Sequence, residues 1–278
     1  MNARLLFILL LFTIGALWYI IGYWRRKAGE AAFAAARLTE KSEERERYCR
    51  LAVMAGHRKP CRMFCLLHPE RFDGHSPHKP FKLRGIRISF YGYYYPSRYN
   101  ALLNDEQKAF CHSIYQFKQG DIHGIEFFKT CMNALQLKKR PYHIMFMPCS
   151  NWIKYGQRFK RLDWYIGKHR QDLTSGLYDV DICDARESLH EAKGGEKRIL
   201  ERNYLITGKI KGKEIIIIDD VLTTGQSVVD YKEEIERCGG KVVAAIFYGK
   251  TLSMPSMLLV QIHVWGNHIA HIIERMTK

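Results

Sequence analysis

Apolar and polar positions first separate as a block. From Leu5 to Trp24 the chain is apolar for 20 residues, relieved by Thr13 and Gly15 and free of charge. A helix of that length spans about 30 Å, the thickness of a bilayer's hydrocarbon core. Trp18, Tyr19, Tyr23 and Trp24 crowd its C-terminal end, where interfacial aromatics belong, and Arg25, Arg26 and Lys27 follow. Ahead of the run stand only Arg4 and the amino terminus. The larger positive cluster belongs in the cytoplasm, so this pattern predicts a single-pass membrane protein with the C-terminal bulk cytoplasmic. A cleaved signal peptide is the rival. Its core is shorter, about 7–15 residues, and its charges precede that core. The small residues from Ala31 to Ala36 would serve a peptidase.

After the anchor (1–27), residues 28–55 are rich in Ala, Glu, Arg and Lys and lack Pro, which predicts a helical stalk. Acids at 40, 43, 44 and 46 interleave with Lys41, Arg45 and Arg47, as on a solvated helix face. Residues 56–100 hold five of the eight prolines and predict an irregular segment. Cys61, Cys65 and His68 lie close enough to suggest zinc, with Cys49, His57, His75 or His78 as a fourth ligand. Only one tight Cys knuckle is present, and loop residues with core thiols account for the same pattern.

From 101 the pattern is regular. Leu102, Phe110, Ile114 and Phe117 predict a helix ending at Gly120, and Ile125, Phe128, Met132 and Leu135 a second. Tyr142 to Met147 reads as a buried strand, 156–171 as a basic helix and Tyr178 to Ile182 as a strand. Ile215 to Ile218 is the unbroken β-branched run of a strand covered on both faces. A helix from Gln226 to Cys238 stops at Gly239 and Gly240, and Val242 to Phe247 is the next strand. Met257 to Val264 predicts a weaker strand before a short terminal helix. Strands alternating with helices predict an α/β domain with a parallel, Rossmann-like sheet over 101–278.

The chain has 278 residues, 47% of them apolar, which excludes disorder throughout. Lys and Arg number 44 against 28 Asp and Glu, a balance of +16, which calls for an anionic partner: a phosphorylated small molecule, nucleic acid or an acidic membrane face. Eight irregularly spaced cysteines (49, 61, 65, 111, 131, 149, 183 and 238) read as reduced thiols. P-loop, nucleophile-elbow and His-Glu-x-x-His patterns are absent from the sequence.

The chemistry concentrates in the segment from Ile215 to Ser227. A buried strand delivers Asp219 and Asp220 to its C-terminal edge, where ligands bind in open α/β sheets. A hydroxyl-rich turn then enters a helix, whose free N–H groups and positive end attract an anion. Thr223, Thr224 and Ser227 add hydroxyl donors, and Gly225 admits a close backbone approach. Carboxylates for hydroxyls beside amides for a phosphate match a sugar phosphate.

Four apolar residues, an acidic pair, two variable residues and Thr-Thr-Gly resemble the phosphoribosyl-diphosphate (PRPP) motif of type I phosphoribosyltransferases. The resemblance implies that Asp219 and Asp220 hold the ribose hydroxyls and act catalytically. It also implies that Val221, Leu222, Thr223, Thr224, Gly225, Gln226 and Ser227 wrap the 5′-phosphate. Upstream, "YQFKQGDIHG", "YHIMFMPCSNWIKYGQRFKRL" and "HEAKGGEKRILERNYLI" are similar in order to the competence-protein-F-like (ComF-like) branch. Members of that branch often carry an N-terminal zinc ribbon, where this chain has the span, stalk and Cys61/Cys65 region. Cys149–Ser150–Asn151 also departs from the usual wording.

Between Lys138 and Arg170 nine Lys or Arg face a single acid, Asp163. A diphosphate needs such cationic, N–H-rich surroundings. The predicted diphosphate ligands are the amides of Cys149, Ser150 and Asn151 with the side chains of Lys154 and Arg158. Mg²⁺, held mainly by the substrate, is the implied cofactor. The expected reaction transfers phosphoribosyl from PRPP to a nitrogen acceptor, whose pocket is expected within 81–100, near Tyr91, Tyr93, Tyr94 and Tyr95. A tyrosine-rich strand packed on the core explains those four residues equally. The alternative is a non-catalytic PRPP sensor, or a DNA-handling protein using the basic surface. Burial of both acids in ion pairs would contradict the ribose site.

Overall fold

A computed structural model describes residues 3–122, 124–182 and 203–277. Cys183 and most of the "HEAKGGEKRILERNYLI" stretch lie outside the described residues. The chain runs α1 (Ala3–Leu38), α2 (Ser42–Met54), α3 (Arg58–Leu67), α4 (Pro69–Asp73), β1 (Phe81–Leu83) and β2 (Ile86–Tyr94). A 3-10 turn (Ser97–Leu102), α5 (Asp105–Gln119), α6 (Ile125–Leu135), β3 (Tyr142–Phe146), α7 (Trp152–His169), β4 (Leu173–Ser175) and β5 (Val180–Ile182) follow. The remainder is β6 (Tyr204–Ile206), β7 (Glu214–Leu222), α8 (Gln226–Arg237), β8 (Lys241–Thr251) and α9 (Met257–Met276).

The chain divides into two units, Met1–Gly74 with Ala101–Leu103 and Ser253–Lys278, and His75–Asn100 with Asn104–Leu252. In the first, Leu6–Leu38 is long and apolar enough to cross a membrane. Its apolar side chains from Leu6 to Trp24 are exposed. The predicted stalk is a helical hairpin instead. α2 turns back on α1, with Arg25 Nη2 donating to the Met54 carbonyl at 2.7 Å and Gly29 leaving room for His57 and Ala55.

Two expectations are corrected. Residues 56–100 are not irregular. Pro60 sits in the first turn of α3 and Pro69 opens α4, positions where a missing N–H costs nothing. The segment also supplies β1 and β2 to the sheet, so the α/β unit starts before 101. Met257 to Val264 is not a strand but the start of α9. Ser256 caps it by accepting from the Leu259 N–H, and Val260 and Val264 bury one face at helical spacing.

The second unit is built on a six-stranded sheet in the order β1-β2-β8-β7-β3-β4. All neighbours from β2 to β4 are parallel, and only edge strand β1 is antiparallel. β5 and β6 form a separate antiparallel pair. β7 lies between β8 and β3, and Ile215 to Ile218 are fully buried, as a strand covered on both faces requires.

α5 crosses the sheet near its C-terminal edge. The Phe110 ring lies on Gly92 of β2, Ile114 Cδ1 lies on Gly249 of β8, and Lys118 reaches Asp220 of β7. These residues are four apart, so one helix face steps over three adjacent strands. A Cβ at Gly92 would stand 2.4 Å from Phe110, and one at Gly249 would stand 2.6 Å from Ile114. The two glycines therefore set how closely the helix lies on the sheet.

Candidate functional site

β7 carries its two acids to the edge beneath α5 and α7. Both carboxylates are largely buried, with side-chain exposures of 14% for Asp219 and 10% for Asp220. Arg158 Nη1, from α7, lies 2.9 Å from Asp220 Oδ2 and 3.7 Å from Asp219 Oδ1. Lys118 Nζ lies 3.1 Å from the same Asp220 oxygen. Asp220 is thus ion-paired with two cations, while Asp219 Oδ1 accepts from the Asp220 N–H at 2.7 Å and lies farther from Arg158. Both acids thus stand in largely buried ion pairs with Arg158, the arrangement expected to contradict the ribose site, with the Asp219 pair the longer of the two at 3.7 Å.

The charges divide accordingly. Burial raises the proton affinity of Asp219 well above the ordinary carboxylate range, and the neighbouring Asp220 charge raises it further. Burial pushes Asp220 the same way, but Arg158 and then Lys118 outweigh it, so Asp220 ionises below the ordinary range. The pair therefore holds one anion, on Asp220, and one proton, on Asp219. Arg158 Nε is buried with no hydrogen-bond partner among the described residues. A buried donor left in that state suits an incoming anion.

After β7 the chain turns at Gly225 (φ 78°), which caps α8 without a side-chain bond. Thr223, Thr224, Gln226 and Ser227 are exposed. Among the described residues the N–H groups of Thr224 and Gly225 donate to no protein acceptor. Val221 and Leu222 differ from the expectation of a phosphate wrap. Both lie within the strand, paired with Gly249 and Lys250 of β8, and Leu222 is buried.

The 148–151 loop follows β3, the other neighbour of β7. The Asn203 amide donates to the Cys149 carbonyl at 3.2 Å and to that of Ser150 at 3.5 Å. Separately, the N–H groups of Cys149 and Ser150 donate to no protein acceptor among the described residues. The Asn151 side chain caps α7 by accepting from the Lys154 N–H at 2.9 Å. Cys149 is buried, and desolvation pushes its thiol up to about 12, so it stays neutral.

The basic stretch 138–170 does not converge on one point. Arg140 pairs with Glu214 at 2.5 Å and Arg170 with Asp172 at 2.7 Å, while the Lys154 side chain is exposed. Of its nine cations, Arg158 alone pairs with Asp219 and Asp220 among the described residues.

Two site residues carried no assigned role in the sequence, although Lys118 lies within the quoted YQFKQGDIHG stretch. Lys118 sits at the end of an ordinary amphipathic helix. Arg84 occupies the β1–β2 turn with φ 46°, and its Nη1 donates to Gln226 Oε1 at 2.6 Å. Leu83 from the same turn fills the space over Gly225. A lone Arg-Gly at 84–85 was the only available signal.

Around the expected zinc region, Cys49 and Cys61 donate to the carbonyls of Pro60 and His57. Desolvation pushes the Cys65 thiol up to about 12. No group of three or more His, Cys, Asp or Glu among the described residues is placed to hold a metal.

Residues 171–251 match the family model of the phosphoribosyl transferase domain. That stretch contains the acidic pair and the turn from Thr223 to Ser227. It stops short of the 148–151 loop and of α5. A stretch of 57 residues is 42% identical to orotate phosphoribosyltransferase of Sulfolobus acidocaldarius, covering 20% of this chain and 26% of that relative. The chain therefore spans about a quarter of the length of the curated relative it matches.

Proposed function

We propose that the chain is a membrane-anchored, ComF-like phosphoribosyltransferase. It binds PRPP at the C-terminal edge of β7 and β3, transfers phosphoribosyl to a nitrogen acceptor and releases diphosphate. The observation that carries this reading is the division of the acid pair: Asp220 pinned by Arg158 at 2.9 Å and Lys118 at 3.1 Å, and Asp219 held through one oxygen, Oδ1, by the Asp220 N–H and a longer 3.7 Å approach of Arg158.

Asp219 accepts from a ribose hydroxyl. Asp220 holds Arg158 and Lys118 in place and so acts as a positioning residue. The amides of Thr224 and Gly225, with the hydroxyls of Thr223, Thr224 and Ser227, receive the 5′-phosphate at the start of α8. The amides of Cys149 and Ser150 and the free Nε of Arg158 receive the diphosphate. As the C1–oxygen bond breaks, its electron pair leaves with the diphosphate and positive charge grows on the ribose. The cation and amides then stabilise the leaving group, and Asp219 lies beside the developing oxocarbenium. The acceptor nitrogen supplies the electron pair of the new bond.

Mg²⁺ fits this donor set, because it binds through one or two carboxylates together with substrate phosphates. Asp219 is the residue that would hold it, since Asp220 is already paired with two cations. Bound there, it would add charge stabilisation on the diphosphate. The helix Leu6–Leu38 is read as the anchor, with Arg25, Arg26 and Lys27 on the cytoplasmic side.

The test is diphosphate release by the full chain in detergent with PRPP, Mg²⁺ and a set of nitrogen acceptors. Release with at least one acceptor, lost in Asp219→Asn, is expected. PRPP binding with no release from any acceptor would leave a sensor in place of an enzyme.

A further inference from the structure

A cavity of about 920 Å³ in the first unit has no part in the site described so far. It lies between α1 and the turn that joins α2 to α3. Gly22, inside the apolar run, lines one end, with Arg25, Arg26, Arg58 and Lys59 close by. Arg37 lines the other end, about 17 Å along α1 from Arg26.

The two pairs of cations are far apart in sequence, and the helical hairpin brings them together. α2 runs back along α1 until Met54 stands level with Arg25, whose Nη2 donates to the Met54 carbonyl at 2.7 Å. His57 Nε2 lies 3.1 Å from the Arg26 carbonyl oxygen. Gly29 admits this approach, since a Cβ there would stand 2.5 Å from the His57 ring. Arg58 and Lys59 open α3 directly after that contact, and both are exposed. A second basic pair is thus folded back to the end of the apolar run.

Little offsets this charge. Glu30 is the one acid in the lining, and Lys27 already pairs with it at 3.1 Å. Arg26, Arg58 and Lys59 form no ion pair among the described residues, and the partner of Arg25 is a neutral carbonyl. Depth then selects the ligand. Gly22 to Arg26 is about 6 Å of helix. The headgroup layer on each side of the hydrocarbon core is about 5–8 Å thick. The four cations therefore stand at the level of lipid phosphates, beside exposed Tyr23 and Trp24 of the interfacial belt.

We propose that this cavity binds the phosphate headgroup of an anionic phospholipid, from the leaflet at the C-terminal end of the span. The inference rests on the reading of Leu6–Leu38 as the anchor and is independent of the PRPP reading. Guanidinium N–H groups donate to phosphodiester oxygens in pairs. Basic pockets beside a membrane helix take such headgroups, whereas a zwitterionic lipid adds a cation that the four side chains repel. The same face of α1 continues through exposed Trp18 and Leu11, where acyl chains lie.

Native mass spectrometry of the full chain in detergent tests this. Dioleoyl phosphatidylglycerol, dioleoyl phosphatidylcholine and inorganic phosphate are titrated separately. The phosphatidylglycerol is expected to bind at least tenfold more tightly than the phosphatidylcholine, and inorganic phosphate not at all over the same range. Each cation near anionic lipid contributes about fivefold. Arg58→Ala with Lys59→Ala should therefore weaken the phosphatidylglycerol complex about thirtyfold, with an unchanged circular dichroism melt. Lys41→Ala with Arg47→Ala removes the same charge from exposed positions outside the cavity and should leave that complex unchanged. Equal binding of the two lipids overturns the proposal, as does phosphate binding as tight as the lipid's. Equal behaviour of the two double variants also overturns it, because surface charge alone would then account for the binding. Flotation of the reconstituted wild type with neutral phosphatidylcholine vesicles tests the anchor by itself. A chain that fails to float overturns the anchor reading and the headgroup site together. A chain that floats without lipid preference loses the headgroup site alone.

Discussion

Arg158 Nη1 lies 2.9 Å from Asp220 Oδ2, and the Nε of the same guanidinium is buried without a partner among the described residues. One cation thus neutralises a buried acid and keeps a donor in reserve. Replacing it with alanine leaves Asp220 with Lys118 alone. Removing one partner of a buried pair costs about 3–5 kcal/mol. Arg158→Ala is expected to lower the thermal midpoint and abolish PRPP binding, while Arg158→Lys recovers most of the midpoint and little of the binding. Circular dichroism melts and calorimetry on the same samples check both.

The acid pair predicts a pH dependence. Asp219 has its proton affinity raised by burial and by Asp220, so the neutral form is the one favoured in the fold. The stability from that neutral form is present below the unfolded value of about 3.9 and is lost as pH rises through the higher folded value. Ribose binding needs the opposite form, because the ionised carboxylate is the better acceptor. PRPP affinity should therefore rise with pH through a step above the ordinary carboxylate range. That step should be missing from Asp219→Asn, as a pH series of dissociation constants will read.

Arg84 predicts a selective effect. Its guanidinium stands at the mouth of the turn, held by Gln226. A hydrogen bond to a charged group contributes about 1.5–3 kcal/mol, and an exposed one falls at the low end. Arg84→Gln should weaken binding of ribose 5-phosphate about tenfold and leave inorganic diphosphate binding unchanged. Equal losses for the two ligands would place Arg84 elsewhere in the site's field.

The anchor is tested separately. Each arginine at the centre of a span costs about 3 kcal/mol on insertion scales. Leu10→Arg with Leu11→Arg should move the chain from the carbonate-resistant membrane fraction to the supernatant. The wild-type chain is expected to stay with the membrane.

The sequence exposed those parts of the fold that local chemistry determines. Four isoleucines in a row carry the signature of a strand covered on both faces, and α5 ends at Gly120, as its sequence predicts, with that glycine in the left-handed conformation. The acids and the turn after them were legible for the same reason, being contiguous. Contacts made across the sheet were not. Lys118 reaches Asp220 only because α5 crosses three strands over Gly92 and Gly249, and that crossing has no signature in the spacing of its own residues. Prolines misled at 60 and 69, since a first-turn proline and a loop proline look alike in sequence. The strand expected at 257–264 failed because its apolar residues fit a helix face as well, and the Ser256 cap decides for the helix.

The most direct measurement is titration of the full chain in detergent with PRPP and Mg²⁺, comparing wild type with Asp219→Asn combined with Asp220→Asn. A saturable heat in the wild type that vanishes in a folded double variant is the predicted result. Equal heats from the two proteins would contradict the placement of the ribose on β7.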